Sequence, residues 1–239
     1  MKVRISSDVE YKDINDRDFA AIAARCAEYS LTIQRGIEPF YGLYKGVEYV
    51  VTSNIPGDIA ECGVWRGGSV MLAAMALAHF GDTSRKLHLF DTFDGVPEPD
   101  PVDMDWNGTS SHPVWSQHQQ RGTKWGYGGP LEDVRKNVLQ TGYPEENFLF
   151  VKGLVEDTLP DAAPEQIALL RLDTDLYRST AHELETLYPR LAIGGVLIID
   201  DYGYYQGARK AVDEYLEKTN AKILLNRIDA SVRVGVKVG

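Results

Sequence analysis

From Asp58 onward, short apolar runs rich in Ile, Val and Leu alternate with longer amphipathic stretches. A run with no polar face must be covered on both sides. The alternation therefore predicts a doubly wound α/β architecture, a mostly parallel sheet with helices on each face. Five runs read as strands, at residues 58–62, 86–90, 147–152, 167–172 and 196–199, and each closes near a Gly or an Asp. Sheets of this kind place ligands at the carboxyl ends of their strands. Helical spacing covers residues 69–80, 131–141, 180–191 and 206–218, the first three stopped by Gly81, Gly142 and Gly194. The tail, residues 221–226 and 230–238, reads as a two-stranded antiparallel ending.

Two helical stretches, 18–32 and 39–53, precede the first strand, and the second carries an aromatic face of Phe40, Tyr41, Tyr44 and Tyr49. Residues 1–56 are thus expected to form a helical extension that caps the site or meets another subunit, leaving 57–239 as one catalytic domain. Residues 95–130 fit neither periodicity, hold Trp106, Trp115 and Trp125, and exceed an ordinary connection, so they read as a lid. A net charge of −10 without a Lys/Arg cluster argues against a nucleic-acid partner. No apolar run is long enough to cross a bilayer and residues 1–8 lack a secretory apolar segment, so no membrane association and a cytoplasmic location are expected. Cys26 and Cys62 stand far apart, which suggests inert buried thiols rather than a disulfide framework or a zinc site.

The turn Glu61-Cys62-Gly63-Val64-Trp65-Arg66-Gly67-Gly68-Ser69 falls between the first strand and its helix, where glycines let backbone amides approach a ligand. Its spacing is not that of dinucleotide enzymes, and Glu61 is suited to an ammonium group. Asp91 ends the second strand, the usual place for a carboxylate that accepts ribose hydroxyls. An adenosine bearing an amino acid fits both acids; a nicotinamide dinucleotide would set Glu61 against a phosphate. Two acid pairs, Asp173 with Asp175 and Asp200 with Asp201, end the fourth and fifth strands. Four acids converging there repel one another unless a cation joins them, and hard oxygen donors favour Mg²⁺, with Mn²⁺ or Ca²⁺ as substitutes. A hydroxyl beside such a cation is acidified and can lose its proton to a carboxylate as a methyl group arrives. Singly, these acids could instead cap helices, Asp175 above all.

Together the glycine turn, Asp91-Thr92-Phe93-Asp94-Gly95, Leu172-Asp173-Thr174-Asp175-Leu176-Tyr177 and Ile199-Asp200-Asp201-Tyr202 resemble the macrocin O-methyltransferase family of antibiotic-sugar methyltransferases, over roughly residues 57–218. The resemblance implies a class I methyltransferase fold, a seven-stranded, mostly parallel sheet with an antiparallel C-terminal strand. It implies S-adenosylmethionine as donor, Mg²⁺, a deoxysugar hydroxyl of a glycosylated small molecule as acceptor, and a homo-oligomer. It makes Asp173, Asp200 and Asp201 metal ligands and Asp175 the general base. Glu61, Gly63 and Ser69 would line the methionine end and Asp91 would hold the ribose. Gly153, Leu154 and Val155 would flank the adenine, with Glu156 nearby. The likeness fades in the N-terminal region and the lid, so the acceptor does not carry over.

Three other readings fit the residues less well. A haloacid-dehalogenase-type phosphatase needs one residue between its two aspartates, whereas two separate Asp91 from Asp94. A nicotinamide dehydrogenase gives the acid pairs no task. A non-catalytic S-adenosylmethionine-binding scaffold has no use for Asp175 beside its neighbouring acids. For the base itself, His112 or His118 of the lid is the alternative to Asp175.

Overall fold

A computed structural model of the protein describes residues 14–34 and 36–239, so residues 1–13 of the expected N-terminal extension lie outside the described part. Its sheet has seven strands in the order β3-β2-β1-β4-β5-β7-β6. These are β1 (Asp58–Cys62), β2 (Leu87–Asp91), β3 (Phe148–Lys152), β4 (Ile167–Leu172), β5 (Leu191–Ile199), β6 (Ile223–Arg227) and β7 (Arg233–Lys237). The first five are parallel, and β7 runs antiparallel to both β5 and β6. The expected antiparallel ending is therefore present, with β7 inserted between β5 and β6.

Alternation along the strands divides the core. Ile59, Leu87, Leu89, Leu169, Val196 and Ile198 face one layer, and Cys62, Phe90, Leu170, Leu172, Leu197 and Ile199 face the other. The first layer contains α1 (Arg17–Cys26), α2 (Glu38–Thr52), α3 (Gly68–His79) and α5 (Leu131–Leu139); the second contains α6 (Val155–Thr158), α7 (Tyr177–Leu187) and α8 (Gln206–Thr219). The lid carries α4 (His112–Gln120).

The sequence of α3, Gly-Ser-Val-Met-Leu-Ala-Ala-Met-Ala-Leu-Ala-His, is apolar all round, and every residue from Gly68 to Leu77 is buried. A helix of that kind cannot face water on its outer side. Helices α1 and α2 supply the cover: Phe19, Phe40 and Tyr44 are buried, and Phe19 lies 5.1 Å from the Tyr41 ring and 5.3 Å from that of Tyr44. Full burial of such a side chain contributes roughly 1.5–3 kcal/mol. The aromatic face of α2 is thus taken up within the chain.

The helix expected over 180–191 begins at Tyr177 and gives way at Tyr188 to a short 3-10 turn. Pro189 explains the end, because it lacks the amide that would continue the ladder. The lid departs further, since α4 lies in a stretch with no legible helical face and none of its residues is buried. Both cysteines are buried free thiols, and burial pushes Cys26 up to about 12. No helix among the described residues is long and apolar enough to cross a membrane.

Candidate active site

Strand order reverses at β1, which lies between β2 and β4, and the loops leaving these strands are locked in steps. The Gly63 amide donates to Phe90 O at 2.8 Å, that of Asp173 to Cys62 O at 2.8 Å, and that of Asp200 to Leu172 O at 2.9 Å. A cavity of about 570 Å³ opens above these loops. This is the crevice in which doubly wound sheets bind ligands.

The glycine turn is built by close approach. A Cβ on Gly63, whose φ is +81°, would stand 1.9 Å from Asp173 O, so no other residue fits without parting the β1 and β4 loops. A Cβ on Gly68 would meet Tyr29 O at 2.6 Å, because residues 29–32 cross over the turn as a strap. Asp91 holds the turn from the other side. Its Oδ2 accepts from the amides of Val64 (2.6 Å) and Trp65 (3.0 Å), and its Oδ1 from that of Phe93 (2.6 Å). A carboxylate offers about four lone-pair directions, so this scaffold role leaves capacity for a ribose hydroxyl.

Of the positions expected to hold the cofactor, Gly63, Ser69, Asp91, Gly153, Leu154 and Val155 all line the cavity. Glu61 does not: it is 5% exposed and stands one layer behind, paired with Arg171. At the other end Asp173, Asp175 and Asp201 also line the cavity, and each offers an oxygen within 4.8 Å of the other two. The Asp175 amide donates to Asp201 Oδ2 at 3.1 Å, with Asp175 at φ 68°, a left-handed conformation that non-glycine residues seldom adopt.

Asp200, also expected as a metal ligand, sits apart from the other acids. Its side chain, 1% exposed, is drawn inward: Oδ1 accepts from Arg171 Nη2 at 2.6 Å and from Thr32 Oγ1 at 3.3 Å. It belongs neither to the cavity wall nor to the acid triad, whose third member is Asp175. An arginine beneath the floor offers a closer, fully desolvated partner than the cavity does.

That arginine was not anticipated, although it stands alone among apolar residues in Ile167-Ala168-Leu169-Leu170-Arg171-Leu172. Its Nη1 donates to Glu61 Oε1 and Asp173 Oδ2, both at 2.7 Å. Burial alone would weaken the cation, but Asp173, Asp200 and Glu61 together outweigh it and push the guanidinium well above its ordinary range. Glu61 is raised to about 7 by its burial, with Arg171 opposing the shift. A second unanticipated acid, Glu183 of α7, is fully buried beneath the Asp173–Asp175 loop, its Oε1 2.9 Å from Thr174 Oγ1.

The lid is stitched down at several points. The Val96 amide donates to Trp125 O at 2.8 Å, and that of Gln206 to Met104 O at 2.8 Å. Asp103, 1% exposed, accepts from the amides of Tyr177 and Asp100, both at 2.8 Å. Of the three lid tryptophans only Trp125 lines the cavity, as do Tyr204 and Tyr205; Trp106 is 64% exposed and the Trp115 ring lies tilted 5.6 Å from that of His112. Neither lid histidine lines it: His112 Nε2 lies 3.2 Å from Glu98 Oε1, and His118 Nδ1 lies 3.0 Å from Thr123 Oγ1.

The donors fit a small hard cation. Ligand oxygens around octahedral Mg²⁺, each about 2.1 Å from the ion, lie about 3 to 4 Å apart, so a separation within 4.8 Å needs only slight closing.

Comparison with known proteins shows the fold and the family. The model of the macrocin-O-methyltransferase (TylF) family matches residues 26–234. The chain is 37% identical over 199 residues to the 8-demethyl-8-(2,3-dimethoxy-alpha-L-rhamnosyl)-tetracenomycin-C 4'-O-methyltransferase of Streptomyces olivaceus, covering 82% of this chain and 72% of that one. It is 34% identical over 194 residues to the demethyldecarbamoylnovobiocin O-methyltransferase of Streptomyces niveus, covering 81% and 71%. Among solved structures, the O-methyltransferase NovP superposes with a TM-score of 0.73 at 33% identity, covering 85% of this chain and 81% of its own.

Proposed function

Since the chain belongs to the macrocin O-methyltransferase family, we propose that it moves a methyl group from S-adenosylmethionine to a hydroxyl on the sugar of a glycosylated small molecule, with Mg²⁺ beside the acceptor. The single observation that carries this reading is the acid triad of Asp173, Asp175 and Asp201 in the same cavity as the glycine turn. Relatives that methylate rhamnosyl and novobiocin compounds support a glycoside as acceptor.

Gly63 and Ser69 take the amino-acid end of the donor and Asp91 its ribose, while Gly153, Leu154 and Val155 flank the base. Asp173 and Asp201 hold the cation, which lowers the pKa of a hydroxyl when bound. Asp175 takes the acceptor proton as the oxygen–carbon bond forms and the carbon–sulfur bond breaks, releasing S-adenosylhomocysteine. Trp125, Tyr204 and Tyr205 give the acceptor an apolar shelf, and the fastened lid keeps water from the transfer. Positioning of the hydroxyl in line with the methyl–sulfur bond supplies much of the rate.

The test is a set of rhamnosides and related deoxysugar glycosides incubated with the protein, S-adenosylmethionine and Mg²⁺, read by mass spectrometry for the gain of one methyl group. Methylation that EDTA abolishes is expected. Full turnover in EDTA would remove the metal from the reaction, and methylation of unglycosylated phenols alone would remove the sugar.

A further inference from the structure

Arg171 stands where three parts of the molecule meet. Through Nη1 it holds Glu61, behind the glycine turn, and Asp173, a member of the acid triad, each at 2.7 Å. Through Nη2 it holds Asp200 at 2.6 Å and Thr32 Oγ1 at 3.1 Å. Thr32 closes the ring by donating to Asp200 at 3.3 Å. The glycine turn and the acid triad meet through backbone, the Asp173 amide donating to Cys62 O at 2.8 Å, and the guanidinium adds a side-chain link between Glu61 and Asp173.

The geometry restricts how the parts can move independently. A guanidinium is a rigid planar fork, so a rotation that improves one of its bonds changes the others. Arg171 is 3% exposed. Thr32 belongs both to this network and to the cavity wall, on the strap that crosses Gly68. A ligand that bonds Thr32 therefore engages a partner of Nη2, and a ligand of Asp173 engages a partner of Nη1.

We infer that Arg171 is a positioning residue through which the cofactor half and the cation half of the cavity bind their ligands cooperatively, with Thr32 as its contact on the strap. The inference rests on the proposed function, because it takes the triad to be a cation site. Linkage requires the effect to be mutual: a cation must tighten S-adenosylhomocysteine by the factor by which S-adenosylhomocysteine tightens the cation.

The experiment uses the full chain and two probes, S-adenosylhomocysteine followed by calorimetry with and without saturating Mn²⁺, and Mn²⁺ followed by electron paramagnetic resonance with and without S-adenosylhomocysteine. Wild type is expected to show mutual tightening of about fivefold or more. Thr32→Val keeps shape and removes the Arg171 and Asp200 bonds, and it should bring the factor close to one while both ligands still bind. Arg171→Lys tests the same point where it folds, since one ammonium cannot span both bond pairs. A general structural role would weaken each ligand and leave the factor intact. Wild-type protein that binds both probes independently, or Thr32→Val with an unchanged factor, overturns the coupling and leaves the proposed function standing. Wild type that binds no Mn²⁺ overturns both.

Discussion

Replacing Glu183 with Gln should make the protein more stable relative to wild type as pH rises. Glu183 is 0% exposed, and its Oε2 has no hydrogen-bond partner among the described residues. Desolvation raises its pKa from 4.5 to about 8, with the Thr174 hydrogen bond opposing and the charge of Glu156 adding. In the neutral acid, Oε1–H can donate a hydrogen bond to Thr174 Oγ1, whose hydroxyl lies 2.8 Å from Ser179 Oγ, which in turn donates to Leu176 O at 3.1 Å. Each hydroxyl then gives one bond and receives one. A Gln amide reproduces that arrangement at every pH.

The sign follows from proton counting. The folded pKa lies above the unfolded one, so the full contribution is present below about 4.5 and falls as pH climbs toward about 8, where the unfolded chain holds fewer protons than the native one. At about 1.36 kcal/mol per unit, the loss across the window is on the order of 4 kcal/mol. For a chain of this length that corresponds to a shift of roughly 10 °C in Tm between wild type and variant. Urea unfolding of both proteins at pH 5 and pH 8.5 reads it. The difference should grow toward the alkaline side; a difference that stays flat with pH would refute a neutral, buried Glu183.

Other changes should act with comparable directness. Arg171→Met leaves Glu61, Asp173 and Asp200 without their shared cation, and should lower unfolding free energy by about 3–5 kcal/mol; a loss below about 1 kcal/mol in urea titration would contradict the network. Gly63→Ala sets a Cβ against Asp173 O, and calorimetry should show S-adenosylhomocysteine affinity falling by more than about tenfold. Asp175→Asn should cut kcat by about 10² or more with little change in S-adenosylhomocysteine affinity, and an unaltered kcat would show that the proton leaves by another route.

Much of the fold was legible because burial on two faces leaves a plain mark in sequence. The largely apolar runs at β1, β4 and β5 and the glycine stops gave the sheet and most of the helices to within a few residues. The lid helix α4 was not legible, because its residues pack on nothing that would impose a periodic apolar face. At the site, the glycine turn was legible from its place at the end of the first strand, whereas Ser69 and Gly153 were given only by the family resemblance; Gly63, Ser69 and Gly153 all line the cavity. Asp200 and Asp201 could not be told apart in that way. Adjacent residues leave a strand in different directions, and only the position of Arg171 decides that Asp200 turns inward. Arg171 itself carried a signal that went unread, a single charge within a six-residue strand buried at every position.

The most direct test is a crystal structure of the protein grown with Mn²⁺ and S-adenosylhomocysteine, with data collected for the anomalous signal of manganese. One peak is expected, held by the carboxylates of Asp173 and Asp201, with Asp175 beside it and the bound S-adenosylhomocysteine in the same cavity. A peak coordinated by Asp200, or none in the cavity despite a bound S-adenosylhomocysteine, would contradict the cation site.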